Sequence, residues 1–315
     1  MEREDKVTEN LELFYDVFSE SCNYLYEITK ANYFELFLMT AKNIIAGEVV
    51  LDLEDEDIKK LDEIYAPLVD KEFSTEDVRK AIQSQVLRAL KETRNTNGMT
   101  TPDTFGLLIS YLIGKLYPNK RQISILDPFV GSGNLLYTIW NHTDKETILF
   151  GCDNDEDMIK IASAFADMLT CDISLYLQDT LSLKISNLDL ITFDFPITFK
   201  MEPYFPYECI SKYLSMLNEN GYIIGLLPED FLSHDKGDKF KEEFRRDASI
   251  IDIIELPDSF FISNKKNIVI IKNKPLENNK CFMIKLDNFT DPKAFNEQLL
   301  KIENWFAENK KILDL

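Results

Sequence analysis

The sequence of 315 residues predicts an α/β protein with a doubly wound, mostly parallel sheet, preceded by an all-helical N-terminal domain. Two observations carry that expectation. From about residue 100 onward, short β-rich runs alternate with helical stretches, and the first runs are largely apolar on both faces. Strands of that kind lie in a parallel sheet covered by helices on both sides. From about residue 8 to 93, by contrast, no run reads as a strand, and apolar residues recur at helical spacing.

In chain order, LELFYDVF, YFELFLMTAKNII and VRKAIQSQVLRALK carry the apolar stripes of three helices. LDLEDEDIKKLDEIY reads as a solvated helix face, APLVDKEF as a break, and Ser74-Thr75-Glu76-Asp77 as a helix start. These segments make a helical domain over residues 1–94. The remainder, 95–315, forms the α/β domain. Its core runs to about 275, with strands at ISILD, TILFGCD, ISLYLQD, LDLITFDF, GYIIGLLP, IIDIIELP and NIVIIKN. A strand at CFMIKL and a helix over 291–310 complete the stretch 276–315.

Composition narrows the function classes. No run of about 18 apolar residues occurs, so no membrane span is expected, and the polar start MEREDKVTEN does not read as a secretory signal. Five scattered cysteines without a C-x-x-C, and only two histidines, suggest reduced thiols in a cytoplasmic, metal-free protein. The net charge of −20 opposes strong nucleic-acid binding, which needs Lys and Arg to neutralise phosphates.

In a doubly wound fold, ligands bind beyond the carboxyl ends of the strands. The first strand ends at Asp127-Pro128, and Gly131-Ser132-Gly133 forms a turn before a helix begins near Asn134. Glycines there let backbone approach a ligand and leave helix N–H groups facing it. The second strand ends Gly151-Cys152-Asp153-Asn154, and a carboxylate at that spacing suits the hydroxyls of a ribose. The third ends Leu177-Gln178-Asp179, where an acidic group could receive an adenine amine. The fourth ends Asp194-Phe195-Pro196-Ile197. A nicotinamide-binding unit would share the turn and Asp153, but Leu136 stands where its third glycine belongs.

DPFVGSGNLL, GCDND, LQDT and DFPI, in this order and spacing, resemble the class I S-adenosylmethionine-dependent methyltransferases, in particular the adenine-specific (N6) DNA methyltransferases. The resemblance covers roughly 95–275 and extends to Thr101-Pro102, ahead of the first strand. With its helical N-terminal domain and IENWF near the end, the chain is also similar to uncharacterised methyltransferase-like proteins of Gram-positive bacteria.

The resemblance implies a Rossmann-like sheet and S-adenosylmethionine as cofactor. Gly131, Ser132 and Gly133, flanked by Pro128 and Asn134, would approach its methionine part, Asp127 its ammonium, and Thr101 and Pro102 its methionine end. Asp153, followed by Asn154, would hold the ribose, and Asp179 the adenine. Asp194, Phe195 and Pro196 would form the catalytic corner: the Asp194 oxygen and the Phe195 carbonyl accept the two hydrogens of an amine and localise its lone pair. Phe195 replaces the family's first proline and Ile197 its stacking aromatic, for which Phe199, Tyr204 or Phe205 could substitute. The family suggests a nucleic-acid acceptor. The charge, and a segment of only about 40 residues after the last core strand, point instead to an amino or amide group of RNA, protein or a small molecule. The alternative is a cofactor-binding but catalytically impaired protein that acts through a partner.

Overall fold

The computed structural model of the chain describes residues 2–94, 100–196, 204–234, 238–261, 264–277, 280–286 and 291–315. In chain order the helices are α1 (Glu2–Thr29), α2 (Tyr33–Ala46), α3 (Asp55–Tyr65), α4 (Thr75–Arg94), α5 (Asp103–Leu116), α6 (Asn134–His142), α7 (Glu156–Leu169), α8 (Phe205–Leu214), α9 (Asp238–Asp247) and α10 (Pro292–Leu313). The strands are β1 (Gln122–Asp127), β2 (Glu146–Asp153), β3 (Ile173–Leu177), β4 (Leu188–Asp194), β5 (Leu217–Pro228), β6 (Ser249–Glu255), β7 (Lys266–Lys272) and β8 (Phe282–Lys285). The chain packs as two compact units. One holds residues 1–106, 130–142 and 155–177, and the other 107–129, 143–154 and 178–315.

The first unit follows from capping and stripe residues. Asn32 accepts the N–H groups of Phe34 and Glu35 while Glu35 takes that of Asn32, so α2 starts there, and Gly47 at φ 71° ends it. Ser74 and Asp77 cap α4 reciprocally, the Asp77 N–H donating to the Ser74 hydroxyl at 3.1 Å and the Ser74 N–H to the Asp77 carboxylate at 3.1 Å. Phe14, Phe18, Cys22 and Leu25 of α1 are buried with Phe37 and Ala41 of α2 and Ile82, Val86 and Leu90 of α4. Helix α3 buries Leu61 and Ile64 and turns Asp55, Glu56, Asp62 and Glu63 to solvent, so it is the solvated face expected. Helices α6 and α7 pack in the same unit, α4 against both and α2 against α7.

The sheet has the order β3-β2-β1-β4-β5-β7-β6-β8. Strand β1 pairs in parallel with β2 and β4, and β4 with β5. Strand β7 enters antiparallel between β5 and β6, and β6 pairs in parallel with β8. The step from β1 to β4 is the switch in strand order, where such sheets open a crevice at their carboxyl edge. Because β7 runs the other way, its first residue, Lys266, pairs with Pro228, the last of β5, and so reaches that same edge.

Element ends differ modestly from expectation. Strand β3 stops at Leu177, leaving Gln178 and Asp179 in the turn beyond it, and α10 extends to Leu313. Helix α1 begins at Glu2, well before residue 8.

Candidate functional site

In the second unit, the apolar run of β4 ends in a half-buried Asp194, beside the ends of β1 and β2. The Phe129 N–H donates to the Asp127 carboxylate at 3.0 Å, since Pro128 has no N–H to offer. Asp127 is 1% exposed. Burial pushes its carboxyl up to about 8; the Phe129 N–H opposes the rise, and the charges of Asp153 and Asp194 add to it. Asp153 and Asp194 are therefore each close enough to act on Asp127. The Gln178 N–H donates to the Asp153 carbonyl at 3.0 Å, bringing the turn after β3 next to the end of β2. There Asp179 accepts the Leu181 N–H at 3.2 Å, capping a short 3₁₀ turn, with its side chain exposed. Asn154 is exposed as well.

The glycine turn and the Thr101-Pro102 element lie in the first unit. Gly131 has φ 51°, and a Cβ placed on it would meet no atom within 4 Å. Gly133 has φ 88°, and a Cβ there would lie 2.1 Å from the Tyr137 ring. That ring is pinned by its hydroxyl, which donates to the Ala162 carbonyl at 2.7 Å, and by Phe165 edge-on. Packing accounts for Gly133, whereas at Gly131 the positive φ alone calls for glycine. Ser132 and Asn134 are buried. The Asn134 amide donates to the Thr101 carbonyl at 2.8 Å and to Asp103 at 3.2 Å, tying the start of α6 to Thr101-Pro102.

A residue that sequence reasoning missed organises this half. Arg79 of α4 is 0% exposed. Its guanidinium donates to Glu76 (2.8 Å twice), to Asp103 (3.0 and 2.7 Å) and to the Thr138 hydroxyl (3.0 Å). Burial works against its charge, yet the bonds to Glu76 and Asp103 raise its pKa further, and both carboxyls are held below their ordinary range. An arginine at the edge of an apolar stripe was the available signal, but its partner Thr138 lies far along the chain.

Lys266 of β7 was also missed. Its ammonium donates to the Asp194 carboxylate, and to the Phe195 carbonyl at 2.6 Å. The Phe195 ring points inward, edge-to-face against Phe129, Phe193 and Phe205, while Pro196 is exposed. Of the rings that could stack on an acceptor, Phe205 is thus engaged with Phe195, and Tyr204 stacks on His234 with centroids 3.9 Å apart. Ile197 and Phe199 lie outside the described residues. Among the described residues no group of three or more His, Cys, Asp or Glu could hold a metal, and no helix is long and apolar enough to cross a membrane.

Strand order, antiparallel β7 and the glycine turn after β1 together make this the methyltransferase fold. Residues 12–90 match the YtxK N-terminal helical domain. Over 295 residues the chain is 28% identical to the uncharacterized protein YtxK of Bacillus subtilis (strain 168), spanning 84% of this chain and 90% of that one. A crystal structure from Listeria monocytogenes, described as a proposed class I S-adenosylmethionine-dependent methyltransferase, superposes with a TM-score of 0.83 at 25% identity, covering 95% of this chain and 99% of that one. The methyltransferase subunit of a type I restriction-modification system from Streptococcus thermophilus superposes at 0.52 with 14% identity, covering 96% and 93%, a likeness of fold.

Proposed function

We propose that the chain binds S-adenosylmethionine at the carboxyl edge of β1 and β2 and serves as an N-methyltransferase for an amino or amide nitrogen held at Asp194. The supporting observation is that the neighbouring parallel strands β2, β1 and β4 each end in an aspartate, Asp153, Asp127 and Asp194, at one edge of the sheet. Carboxylates crowded in this way call for a cationic ligand. The family resemblance gives Gly131, held at φ 51°, the same ligand's backbone contact. When bound, S-adenosylmethionine supplies a methyl group already activated on a sulfonium.

The chain's own residues then divide the work. Asp127 faces the ligand's positive end, Asp153 and Asn154 its sugar, and Asp179, while capping its turn, its base. Thr101 and Pro102 are held in place by Asn134. Asp194 and the Phe195 carbonyl orient the acceptor nitrogen, with Pro196 fixing the turn. The acceptor is carried by RNA, protein or a small molecule in the cytoplasm, because a chain of net charge −20 is ill suited to grip duplex DNA. Lys266, bonded to both acceptor-orienting atoms, favours a second reading, a cofactor-binding protein impaired in transfer.

Calorimetric titration tests the shared premise. S-adenosylmethionine should bind in the micromolar range and lose at least tenfold in affinity in Asp153→Ala; no heat at millimolar ligand would sink both readings. Transfer of labelled methyl to cell extract by wild type but not by Asp194→Ala would separate the first reading from the second.

A further inference from the structure

The two atoms proposed to orient an acceptor nitrogen are already bonded to a nitrogen of the chain itself. The Lys266 ammonium donates to the Asp194 carboxylate and to the Phe195 carbonyl at 2.6 Å, and its side chain is only 12% exposed. Backbone sets the arrangement. The Phe195 N–H donates to the Leu226 carbonyl at 3.0 Å, which carries the turn after β4 along β5, and Lys266 pairs with Pro228 two residues further on. A four-carbon stem spans what remains. A primary amine bound this way presents two N–H groups to two acceptors, the pattern an incoming amine would need.

We infer that Lys266 is an internal occupant of the acceptor seat, closing it to outside amines until its side chain withdraws, and that the seat suits a primary alkylamine. Resting on the proposed function, this names both a specificity-determining residue and a substrate class. The ammonium of an unbranched chain fits a carboxylate beside a carbonyl, and one proton passed to the Asp194 carboxylate would free the lone pair that takes the methyl group. An aromatic amine would want a ring to stack on, and among the described residues the rings of Phe195, Phe205 and Tyr204 are engaged with Phe129, with Phe195 and with His234. Withdrawal of Lys266 would take a cation away from the half-buried Asp194, so an incoming amine that replaces that charge favours the open arrangement.

The test removes the stem and supplies it from solution. Lys266→Ala, with n-butylamine added at millimolar concentration, should show a saturable rise in melting temperature. That rise should vanish in the Asp194→Ala/Lys266→Ala double variant and need at least tenfold more amine in wild type. An equal response in wild type, or none in Lys266→Ala, overturns the inference. If Lys266→Ala does not fold, Asp194→Asn carries the test. Freed from the carboxylate, Lys266 should acetylate at least tenfold faster than in wild type by peptide mass spectrometry, and unchanged reactivity overturns the inference. Recovery of a methyl group on Lys266 of wild type incubated with S-adenosylmethionine would also overturn it, since the residue would then be the acceptor itself. Calorimetry of S-adenosylmethionine with Lys266→Ala keeps failure of the cofactor reading separate, because amine binding needs no cofactor.

Discussion

Two buried charge clusters in this molecule are built on opposite plans. Around Arg79 one guanidinium faces two carboxylates, Glu76 and Asp103, each within ordinary hydrogen-bond distance, and Gln83 and Asn134 add donors to Asp103 at 2.7 and 3.2 Å. At the strand ends, burial and then the charges of Asp153 and Asp194 raise the pKa of Asp127, and Lys266 sits on Asp194. A cluster that closes on itself serves architecture. One that sets carboxyl groups on neighbouring strand ends at the edge of a sheet is the one proposed to take a ligand. Arg79→Met should therefore give the largest effect of any substitution discussed here. It strands two half-buried carboxylates and costs about 3–5 kcal/mol, read as a fall in urea midpoint. Arg79→Lys should recover only part of that, because an ammonium cannot span Glu76, Asp103 and Thr138 together.

Asp127→Asn probes the open cluster, with an effect on the order of 2–4 kcal/mol that depends on pH. The folded-state value is about 8 against an ordinary 3.8, so the folded protein holds a proton that the unfolded chain releases. Wild type should then lose stability relative to Asp127→Asn as pH rises from about 4 to about 8, and change little more beyond. The groups acting on Asp127 are the Phe129 N–H, Asp153 and Asp194, and it acts in turn on Tyr213 of α8. Saturating S-adenosylmethionine should flatten the difference, because a bound cation favours the charged carboxylate. Melting curves of both chains across that range, with and without ligand, check it; a pH dependence untouched by ligand would place the cation elsewhere.

The two glycines of the turn should also separate architecture from ligand space. Both hold positive φ, so alanine costs about 1 kcal/mol at either position. At 133 the added methyl would also drive into the pinned Tyr137 ring, so Gly133→Ala should lose a further ~1–2 kcal/mol of stability. Gly131→Ala should keep most of its stability and lose cofactor affinity instead, by tenfold or more in calorimetry. Equal affinities for Gly131→Ala and wild type would remove Gly131 from the site.

What the sequence disclosed, and what it withheld, follows the range of the interactions. Asp127, Gly131, Gly133, Asp153 and Asp194 were legible because each stands at a strand end or turn that local pattern marks. The four helices of the N-terminal segment were legible for the same reason. Lys266 was not, because its meeting with Asp194 depends on β7 inserting antiparallel with Lys266 opposite Pro228, a register that no local signal specifies. Arg79 was hidden likewise, its bonds reaching Asp103 and Thr138 at separations of 24 and 59 residues. Strand ends announce a crevice, but the residues that fill or brace it arrive from elsewhere in the chain.

Asp252 offers the smallest and cleanest check on the contrast between the clusters. It is fully buried in the middle of β6, and its register partners are Ile270 and Phe282. Among the described residues no side chain donates a hydrogen bond to either carboxyl oxygen, and the group has only the poorly aligned Ile253 N–H beside it. Burial raises its pKa well above the ordinary value, with the Ile253 N–H only tempering the rise. It resembles Asp127 in burial and in a raised pKa, but it sits mid-strand, away from the carboxyl edge. If position at the strand end is what makes a buried carboxyl a site, removing Asp252 should help folding and leave binding alone. Asp252→Leu should gain about 1–2 kcal/mol at pH 7, the cost of a poorly partnered buried polar group, and somewhat less at pH 4, where the unfolded chain is itself partly protonated. Its affinity for S-adenosylmethionine should match wild type within about twofold; a tenfold loss would mean that burial of charge anywhere in the sheet, rather than its place at the strand ends, tunes the cofactor site.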